Sequence, residues 1–184
     1  GKSSLLDFIR GTTIVECEAG RITQAIGASI IPIETVQRVC GDLLKSINVT
    51  IPGFLAIDTP GHAAFTTLRK RGGSLADIAI LVVDINEGFK PQTLEALEIL
   101  KEARTPFIVA ANKIDLISGW RSSNKQLIAS IGEQNPKTVG IFETKLYQLV
   151  GKFSDLGFQS ERFDRVTDYT KQIAIVPMSA VKGD

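Results

Sequence analysis

The sequence predicts an α/β domain with a mostly parallel sheet and helices on both faces, and two observations support this class. First, four short runs rich in Ile, Val, Leu and Phe do not alternate with polar residues, as expected for strands that helices cover on both sides. The runs are "FLAID" (residues 54–58), "IAILVVD" (78–84), "PFIVAAN" (106–112) and "IAIVPMS" (173–179). Second, helical patterns separate the runs, and strand–helix alternation favours parallel strands joined by right-handed crossovers.

The clearest helix lies in "KPQTLEALEILKEARTP" (residues 90–106). Pro91 suits a first-turn position, where a missing N–H has no cost. Leu94, Leu97 and Leu100 recur at helical spacing and should form one buried face. Pro106 cannot continue the helix, so the helix is predicted to end before it.

Two stretches, residues about 32–53 and about 119–171, are longer than a crossover requires and are interpreted as insertions packed on the same single domain. The first contains "IETVQRVCGDLLKSI", a predicted short helix, before a turn at Pro52 and Gly53. The second contains "ETKLYQLVGKFSDLGF", an amphipathic helix expected to end near Gly157. Its predicted apolar stripe consists of Leu146, Leu149, Val150, Phe153 and Leu156.

The composition excludes several classes of protein. With 21 basic and 20 acidic residues the net charge is +1, which implies no general attraction to nucleic acid or to a membrane. Cys17 and Cys40 form no Cys-x-x-Cys pair, so we expect ordinary reduced thiols in a cytoplasmic protein. No apolar run is long enough to span a bilayer. Because the chain starts at "GKSS" without methionine, we interpret it as a fragment.

Polar motifs follow three of the predicted strands. Asp-Thr-Pro-Gly-His occupies residues 58–62, Asn-Lys-Ile-Asp occupies residues 112–115, and Ser-Ala occupies residues 179–180. Ligands of open α/β sheets bind at the carboxyl ends of the strands. We therefore expect these three motifs to converge on one ligand site.

The first residues predict that this ligand carries phosphates. Gly1, Lys2 and Ser3, followed by Ser4, match the end of G-x-x-x-x-G-K-[ST], and the apolar helix "LLDFI" follows them. Amides at such a helix start cradle phosphates, and the lysine adds a charge for the β- and γ-phosphates. The Ser3 hydroxyl is a candidate ligand of Mg²⁺.

The Asn-Lys-Ile-Asp motif predicts a guanine base. A carboxylate only accepts hydrogen bonds, so Asp115 can pair with the N1–H and the 2-amino group of guanine, whereas adenine lacks this pair of donors. Asn112 should brace the loops and meet the purine, and the stem of Lys113 can lie along the base. After Ser179, the amide of Ala180 should meet the O6 atom of guanine. GTP is the predicted ligand; the alternative for Asp115 is a helix cap.

Metal and switch residues complete the prediction. Asp58 ends a strand where it can hold Mg²⁺ through water, alongside Ser3. The hydroxyl of Thr23 could join the metal shell only when a γ-phosphate is present, although Thr23 could also be an ordinary strand residue. Gly61 can bring its N–H close to the γ-phosphate. Loss of that phosphate would release the two segments that carry Thr23 and Gly61.

His62, the single histidine of the chain, is the predicted catalytic residue. Phosphoryl transfer to water needs a group that orients the water, and a residue after Gly61 lies beside the γ-phosphate. The ordinary pKa of an imidazole, about 6.5, permits a base or a cationic stabiliser, and both roles stay open. The alternative is a histidine on a helix surface.

These motifs resemble the G domain of the translational GTPases, through "DTPGH", "NKID" and "DIAILVVDINEGFKPQT" (residues 77–93). Within that group, "AGRITQAIGAS" (19–29) and "AFTTLRKRG" (64–72) are similar to initiation factors. "GFKPQT" (88–93) and "QSERFDRVTD" (159–168) resemble the archaeal and eukaryotic initiation factor 5B family. The resemblance implies a P-loop NTPase G domain that lacks its first strand, with GTP or GDP and Mg²⁺ bound.

The resemblance also implies a role and partners. The intact protein would promote ribosomal subunit joining as a monomer, with GTP hydrolysis stimulated by the large subunit and no membrane contact. Initiator tRNA and other initiation factors would be met by domains absent here. Arg21 and Ala25 replace a glycine and a histidine of the family pattern, and Val181 stands where small GTPases often have a stacking lysine. We expect this chain alone to bind GTP weakly or to fold poorly.

Two alternatives remain beside this interpretation. A nucleotide-dependent binding module could use the same fold without hydrolysis, but such a module needs neither His62 nor Thr23. An ATPase is disfavoured by Asp115. The basic cluster "LRKRGG" (residues 68–73) could contact ribosomal RNA or form a solvated helix face.

Overall fold

The computed structural model describes residues 1–10, 27–41, 50–58, 76–123 and 125–183, which divide between two compact units. The smaller unit is Lys2–Thr67, and the larger unit consists of Gly1 and Leu68–Asp184. That the two units form one domain with two insertions stays a prediction.

The smaller unit contains an antiparallel strand pair. Its described elements are α1 (Lys2–Arg10), β1 (Gly27–Pro32), α2 (Ile33–Cys40) and β2 (Gly53–Asp58). The strands pair antiparallel from Gly27 opposite Asp58 to Pro32 opposite Gly53. The first part of the helix predicted over residues 33–47 is present as α2, after which Gly41 adopts a positive φ of 49°; the rest of that stretch lies outside the described residues. Both helices contact β2.

The run at residues 54–58 is a strand, as predicted, but it pairs antiparallel with β1 in a two-stranded sheet, so its expected burial in the parallel sheet is wrong. Phe54 is 47% exposed and Leu55 is 62% exposed. The partner strand β1 was missed because its first residues belong to the segment interpreted as a switch. An apolar run indicates an extended backbone but not which strand will pair with it.

The larger unit contains the predicted parallel sheet. Its strands are β3 (Ala79–Asp84), β4 (Phe107–Asn112), β5 (Ser160–Arg162) and β6 (Ile173–Met178), in the spatial order β3-β4-β6-β5. All three strand pairs are parallel. Three of the four strands lie within one residue of the predicted runs. The inner strand β4 is the most buried, with Val109 and Ala111 fully enclosed.

The helices of the larger unit are α3 (Pro91–Ala103), α4 (Leu127–Gly132) and α5 (Pro136–Asp155), and a 3₁₀ turn spans Ile114–Leu116. Pro91 occupies the predicted first turn of α3, and the helix ends before Pro106 as expected. The predicted apolar face is wrong at Leu94, which is 42% exposed. Ala96 and Leu97 are the buried residues of α3.

Residues 119–171, which we interpreted as the second insertion, contribute more to the fold than the sequence indicated. They carry α4, α5 and β5, and β5 pairs with β6 in the sheet. Helix α5 is the predicted amphipathic helix, and Gly157 follows it with a φ of 81°. Its stripe is only partly as predicted, since Val150 is half-buried and Leu156 is exposed. The buried positions of the helix are Thr138, Phe142, Leu146, Leu149 and Phe153.

An aromatic contact anchors the loop that follows β3. Phe89 in that loop packs edge-on against Phe153 of α5, with ring centroids 4.8 Å apart. Phe153 is fully buried. This contact fixes the loop that begins directly after Asp84, the last residue of β3.

None of the helices in the described ranges combines the length and the hydrophobicity that a membrane-spanning segment needs.

Candidate functional site

The carboxyl ends of three neighbouring strands bring the predicted base-binding motifs together in the larger unit. Asn112, the last residue of β4, lies opposite Asp84 of β3 on one side and opposite Met178 of β6 on the other. Because the strands are parallel, the loops that follow them start at the same end of the sheet. The Asn-Lys-Ile-Asp and Ser-Ala motifs begin in two of these loops.

Asn112 joins those two loops. Its side chain is almost fully buried, and its Oδ1 atom accepts the main-chain N–H of Ala180 at 3.1 Å and that of Lys113 at 2.7 Å. A buried amide oxygen that accepts one hydrogen bond from each loop fixes the starts of the two loops relative to each other. The N–H of Ala180 that we expect to meet guanine O6 therefore already has an acceptor within the protein.

Lys113 has an unusual backbone conformation for a residue with a side chain. Its φ of 70° and ψ of 37° lie in the left-handed region, which costs a non-glycine residue free energy. Two contacts hold it there. The side-chain amide of Asn86 donates to the Lys113 carbonyl at 2.9 Å, and the Lys113 ammonium lies 2.7 Å from Oδ2 of Asp84.

Asp84 and Asn86 also belong to this site, although they are part of none of the polar motifs that the sequence indicated. The side chain of Asp84 is 13% exposed, and its Oδ1 atom accepts the N–H of Asn86 at 2.9 Å. The signal that could have identified Asp84 is its position as an acidic strand end, which it shares with Asp58.

The electrostatics of the pair follow from these contacts. Burial acts to raise the pKa of Asp84, but hydrogen bonds from Lys113 and Asn86, with the attraction of the ammonium, together hold the pKa below its ordinary value. The hydrogen bond to Asp84 raises the pKa of Lys113. The pair is therefore ionised at neutral pH.

Asp115 lies in the 3₁₀ turn and is half-buried. The alternative role of a helix cap is wrong, because the residue that begins the turn is Lys113 and no side chain caps it. Ile114, in the same turn, is fully buried and anchors the turn in the core. Among the described residues, none donates a hydrogen bond to the Asp115 carboxylate, which leaves its oxygens available to a ligand.

The Ser-Ala motif forms a tight turn after β6. Ser179 and Ala180 are both buried. The Oγ atom of Ser179 accepts the N–H of Lys182 at 3.1 Å, and its carbonyl accepts the N–H of Gly183 at 2.8 Å. Val181 projects into solvent between them. These hydrogen bonds give the turn a defined shape.

Gly1 is the phosphate-loop residue that belongs to the larger unit. A Cβ atom built on Gly1 would lie 3.6 Å from Nδ2 of Asn112 and 3.6 Å from Val82. Gly1 therefore lies close to Asn112.

The remaining described site residues lie in the smaller unit. Lys2, Ser3 and Ser4 form the start of α1, and Asp58 ends β2, which α1 contacts. A hydroxyl and a carboxylate are the hard oxygen donors that Mg²⁺ prefers. In the described ranges no three His, Cys, Asp or Glu side chains gather as metal ligands, so a Mg²⁺ ion would need phosphate or water oxygens as well. Thr23, Gly61 and His62 lie outside the described residues.

Comparison with known proteins identifies relatives along the whole chain. The family model described as the Elongation factor Tu GTP binding domain matches residues 1–184. The chain is 59% identical to the probable translation initiation factor IF-2 of Methanoculleus marisnigri and 57% identical to that of Methanopyrus kandleri. Each match covers 100% of this chain but only 31% of the relative, so the chain spans about a third of these proteins.

Solved structures agree with this result. The GDP-bound aIF5B of Aeropyrum pernix is similar over 100% of this chain and 31% of that chain, with a TM-score of 0.84 and 53% identity. A bacterial selenocysteine-specific elongation factor, EF-Sec, matches with a TM-score of 0.57 at 24% identity and 24% of its length, which supports the fold alone.

Proposed function

Because the chain belongs to the Elongation factor Tu GTP binding domain family, we propose that it binds GTP and GDP and hydrolyses GTP as the switch domain of a translation initiation factor. The observation that carries this proposal is the pair of loops joined by Asn112, one of which presents a half-buried, unpaired Asp115. The initiation factors named IF-2 and the GDP-bound aIF5B support the choice of ligand and process.

Guanine recognition would depend on Asp115. Its two carboxylate oxygens would accept the N1–H and the 2-amino group of guanine, and a base without these donors would leave a half-buried charge unpaired, at a cost of about 1–3 kcal/mol. The Lys113 stem would cover one face of the base. The Ala180 amide would reach guanine O6 only by sharing or leaving its present acceptor, Oδ1 of Asn112.

The phosphates would bind at Gly1, Lys2, Ser3 and Ser4, at the N-terminus of α1. Lys2 would supply a positive charge. Ser3, Asp58 and Thr23 would hold Mg²⁺, and this ion supplies neutralisation of the negative charge on the phosphate oxygens.

The switch would involve two segments. The N–H of Gly61 and the hydroxyl of Thr23 would both be drawn toward the γ-phosphate and released when it leaves. His62 would orient the attacking water by a hydrogen bond from or to a ring nitrogen. The protein would thus position the water and stabilise charge rather than form a covalent intermediate.

The role of the whole protein is a further part of the proposal. We propose that it acts in the cytoplasm, promotes ribosomal subunit joining, and hydrolyses GTP when the activating centre of the large subunit stimulates it. Initiator tRNA and other initiation factors would be bound by parts of the protein beyond this chain.

The test is nucleotide binding by the intact protein. Titration calorimetry with GDP, ADP and xanthosine diphosphate should show binding of GDP, with ADP weaker by at least roughly tenfold. Equal affinities for GDP and ADP would contradict guanine recognition. Phosphate release from GTP, measured with and without ribosomes, tests hydrolysis and its stimulation.

A further inference from the structure

Lys113, in the loop after β4, has two acidic neighbours: Asp84 at the end of β3 and Asp115 two residues further along the chain. The Lys113 ammonium pairs with Asp84 at 2.7 Å. In the described part of the chain, the carboxylate of Asp115 makes no ion pair and accepts no hydrogen bond. The Lys113 ammonium therefore forms an ion pair with Asp84 and not with Asp115.

The unpaired carboxylate lies within electrostatic reach of the same ammonium. The negative charge of Asp115 contributes to raising the pKa of Lys113, after the larger effects of Asp84 and of Glu87. Glu87 contributes as well, but the Glu87 carboxylate is already paired with Lys90. If Asp84 did not hold the ammonium, Asp115 would be the unpaired carboxylate left for it.

Such a pairing would interfere with base recognition. An ammonium on Asp115 would occupy the oxygens that must accept the N1–H and 2-amino donors of guanine. The base would then have to displace a charge-assisted hydrogen bond before it could bind.

We propose that Asp84 is a positioning residue that determines base specificity: it holds the Lys113 ammonium so that the Asp115 carboxylate stays free for guanine. This inference rests on the proposed function, because it assumes that Asp115 contacts the base. Asp84 itself does not touch the ligand.

Asn86 completes the arrangement. Its main-chain N–H donates to Oδ1 of Asp84 and its side-chain amide donates to the carbonyl of Lys113, each at 2.9 Å. The first bond orients the carboxylate toward the ammonium. The second holds the left-handed backbone from which the Lys113 side chain starts.

The experiment measures the affinity of the intact protein for GDP and for inosine diphosphate, which lacks the 2-amino group. Their ratio reports how well Asp115 reads that group. Asp84→Asn keeps the shape but not the charge, and should weaken GDP binding roughly tenfold while the GDP/IDP ratio falls roughly fivefold. Asp155→Asn, an acid-to-amide change in an exposed ion pair of α5, should leave the ratio unchanged.

The deciding variant is Asp84→Asn combined with Lys113→Met. Methionine keeps an unbranched apolar stem but removes the ammonium, so Asp115 has no competing cation. The GDP/IDP ratio should then return to that of Lys113→Met alone. A merely structural role of Asp84 would lower the melting temperature of both variants without this recovery.

Several outcomes would overturn the proposal. An unchanged ratio in Asp84→Asn, or a double variant that stays as unselective as the single one, would each do so. If Asp84→Asn does not fold, Asn86→Ala serves instead, and a ratio within error of the wild type would reject the idea. Failure of the wild-type protein to prefer GDP over ADP would reject the proposed function instead, which separates the two conclusions.

Discussion

Oδ1 of Asn112 accepts the N–H of Ala180 at 3.1 Å, a contact between residues 68 positions apart in the sequence. It joins the ends of two neighbouring parallel strands, and both partners are buried. A single side chain therefore couples the loop that carries Asp115 to the loop that carries Ser179. This coupling leads to the first prediction.

We expect Asn112→Ala to lower both stability and nucleotide affinity. The buried N–H of Ala180 and the part-buried N–H of Lys113 would lose their acceptor, which costs about 1–3 kcal/mol of unfolding free energy. Thermal unfolding and GDP titration of the intact protein measure the two effects. Gln148→Ala, on the exposed side of α5, is the control and should change neither. Wild-type stability in Asn112→Ala would show that the coupling is dispensable.

Asp115→Asn should change the preferred base from guanine to xanthine. The amide would present a donor where xanthine offers a carbonyl oxygen in place of the 2-amino group. Competition between xanthosine and guanosine diphosphates for the intact variant measures this change. The ratio of the two affinities should shift by more than roughly tenfold, because a lost hydrogen bond to a charged group costs about 1.5–3 kcal/mol. Retained preference for GDP would refute the proposed contact.

His62→Ala should slow GTP hydrolysis on the ribosome while nucleotide affinity is kept. Loss of a group that orients water typically reduces the rate by about 10²–10⁴-fold. Single-turnover phosphate release with ribosomes is the measurement, and the GDP affinity of the same variant is the control. Unchanged turnover would favour the alternative of a binding module that does not need His62.

The Asp84–Lys113 ion pair should make the stability of the surrounding strands depend on pH in the acidic range, below the ordinary pKa of an aspartate. A carboxyl whose pKa is lower in the folded than in the unfolded protein stabilises the fold above the unfolded pKa, and that contribution is lost as the pH falls through the folded pKa. The ordinary value here is 3.8, and the folded value of Asp84 lies below it. Wild type should be better protected from amide hydrogen exchange than Asp84→Asn. This difference in protection should be constant above about pH 5 and shrink below pH 3.8.

Amide hydrogen exchange of the peptides from β3 and β4, compared between wild type and Asp84→Asn at each pH, measures this effect. Comparing the two proteins at the same pH cancels the pH dependence of the exchange chemistry itself. A difference that grows as the pH falls below 3.8 would have the wrong sign and would contradict the assigned ion pair.

Phe142→Ala should destabilise the larger unit strongly. Phe142 of α5 is fully buried, and the centroid of its ring lies 5.6 Å from the ring centroid of Trp120. Removing a buried phenylalanine side chain costs about 3–5 kcal/mol. Leu156→Ala, at an exposed position just after the same helix, is the matched control and should cost less than about 0.5 kcal/mol. Thermal unfolding that leaves Phe142→Ala within that small range would show that the insertion is not part of the core.

Strands β3, β4 and β6 of the larger unit were predictable because each is a continuous apolar run, and a polar motif follows β4 and β6 directly. The same pattern indicated Asn112, Asp115 and Ser179 as neighbours, which the order of the parallel strands explains. Strand β5 was not predictable from its own residues, Ser-Glu-Arg, since it is short and polar and its pairing with β6 is a tertiary contact. The burial of β2 was overestimated for the same reason, because pairing partners are not encoded in a local run.

Within the candidate site, whose ligand contacts stay predictions, the sequence pointed to the residues that match motifs but not to the residues that support them. Asp115 follows from the chemistry of its carboxylate. Asp84 and Asn86 act through Lys113, and their role depends on a left-handed backbone and an ion pair that no spacing rule reveals.

The position of β5 has a practical consequence for engineering. Residues 119–171 supply the strand that covers the outer side of β6, from Ser160 opposite Ile173 to Arg162 opposite Ile175. A shortened protein without them would leave the amides and carbonyls of β6 open to pairing with another molecule. Trimming this segment would therefore be expected to promote aggregation, even with every residue around the base left in place.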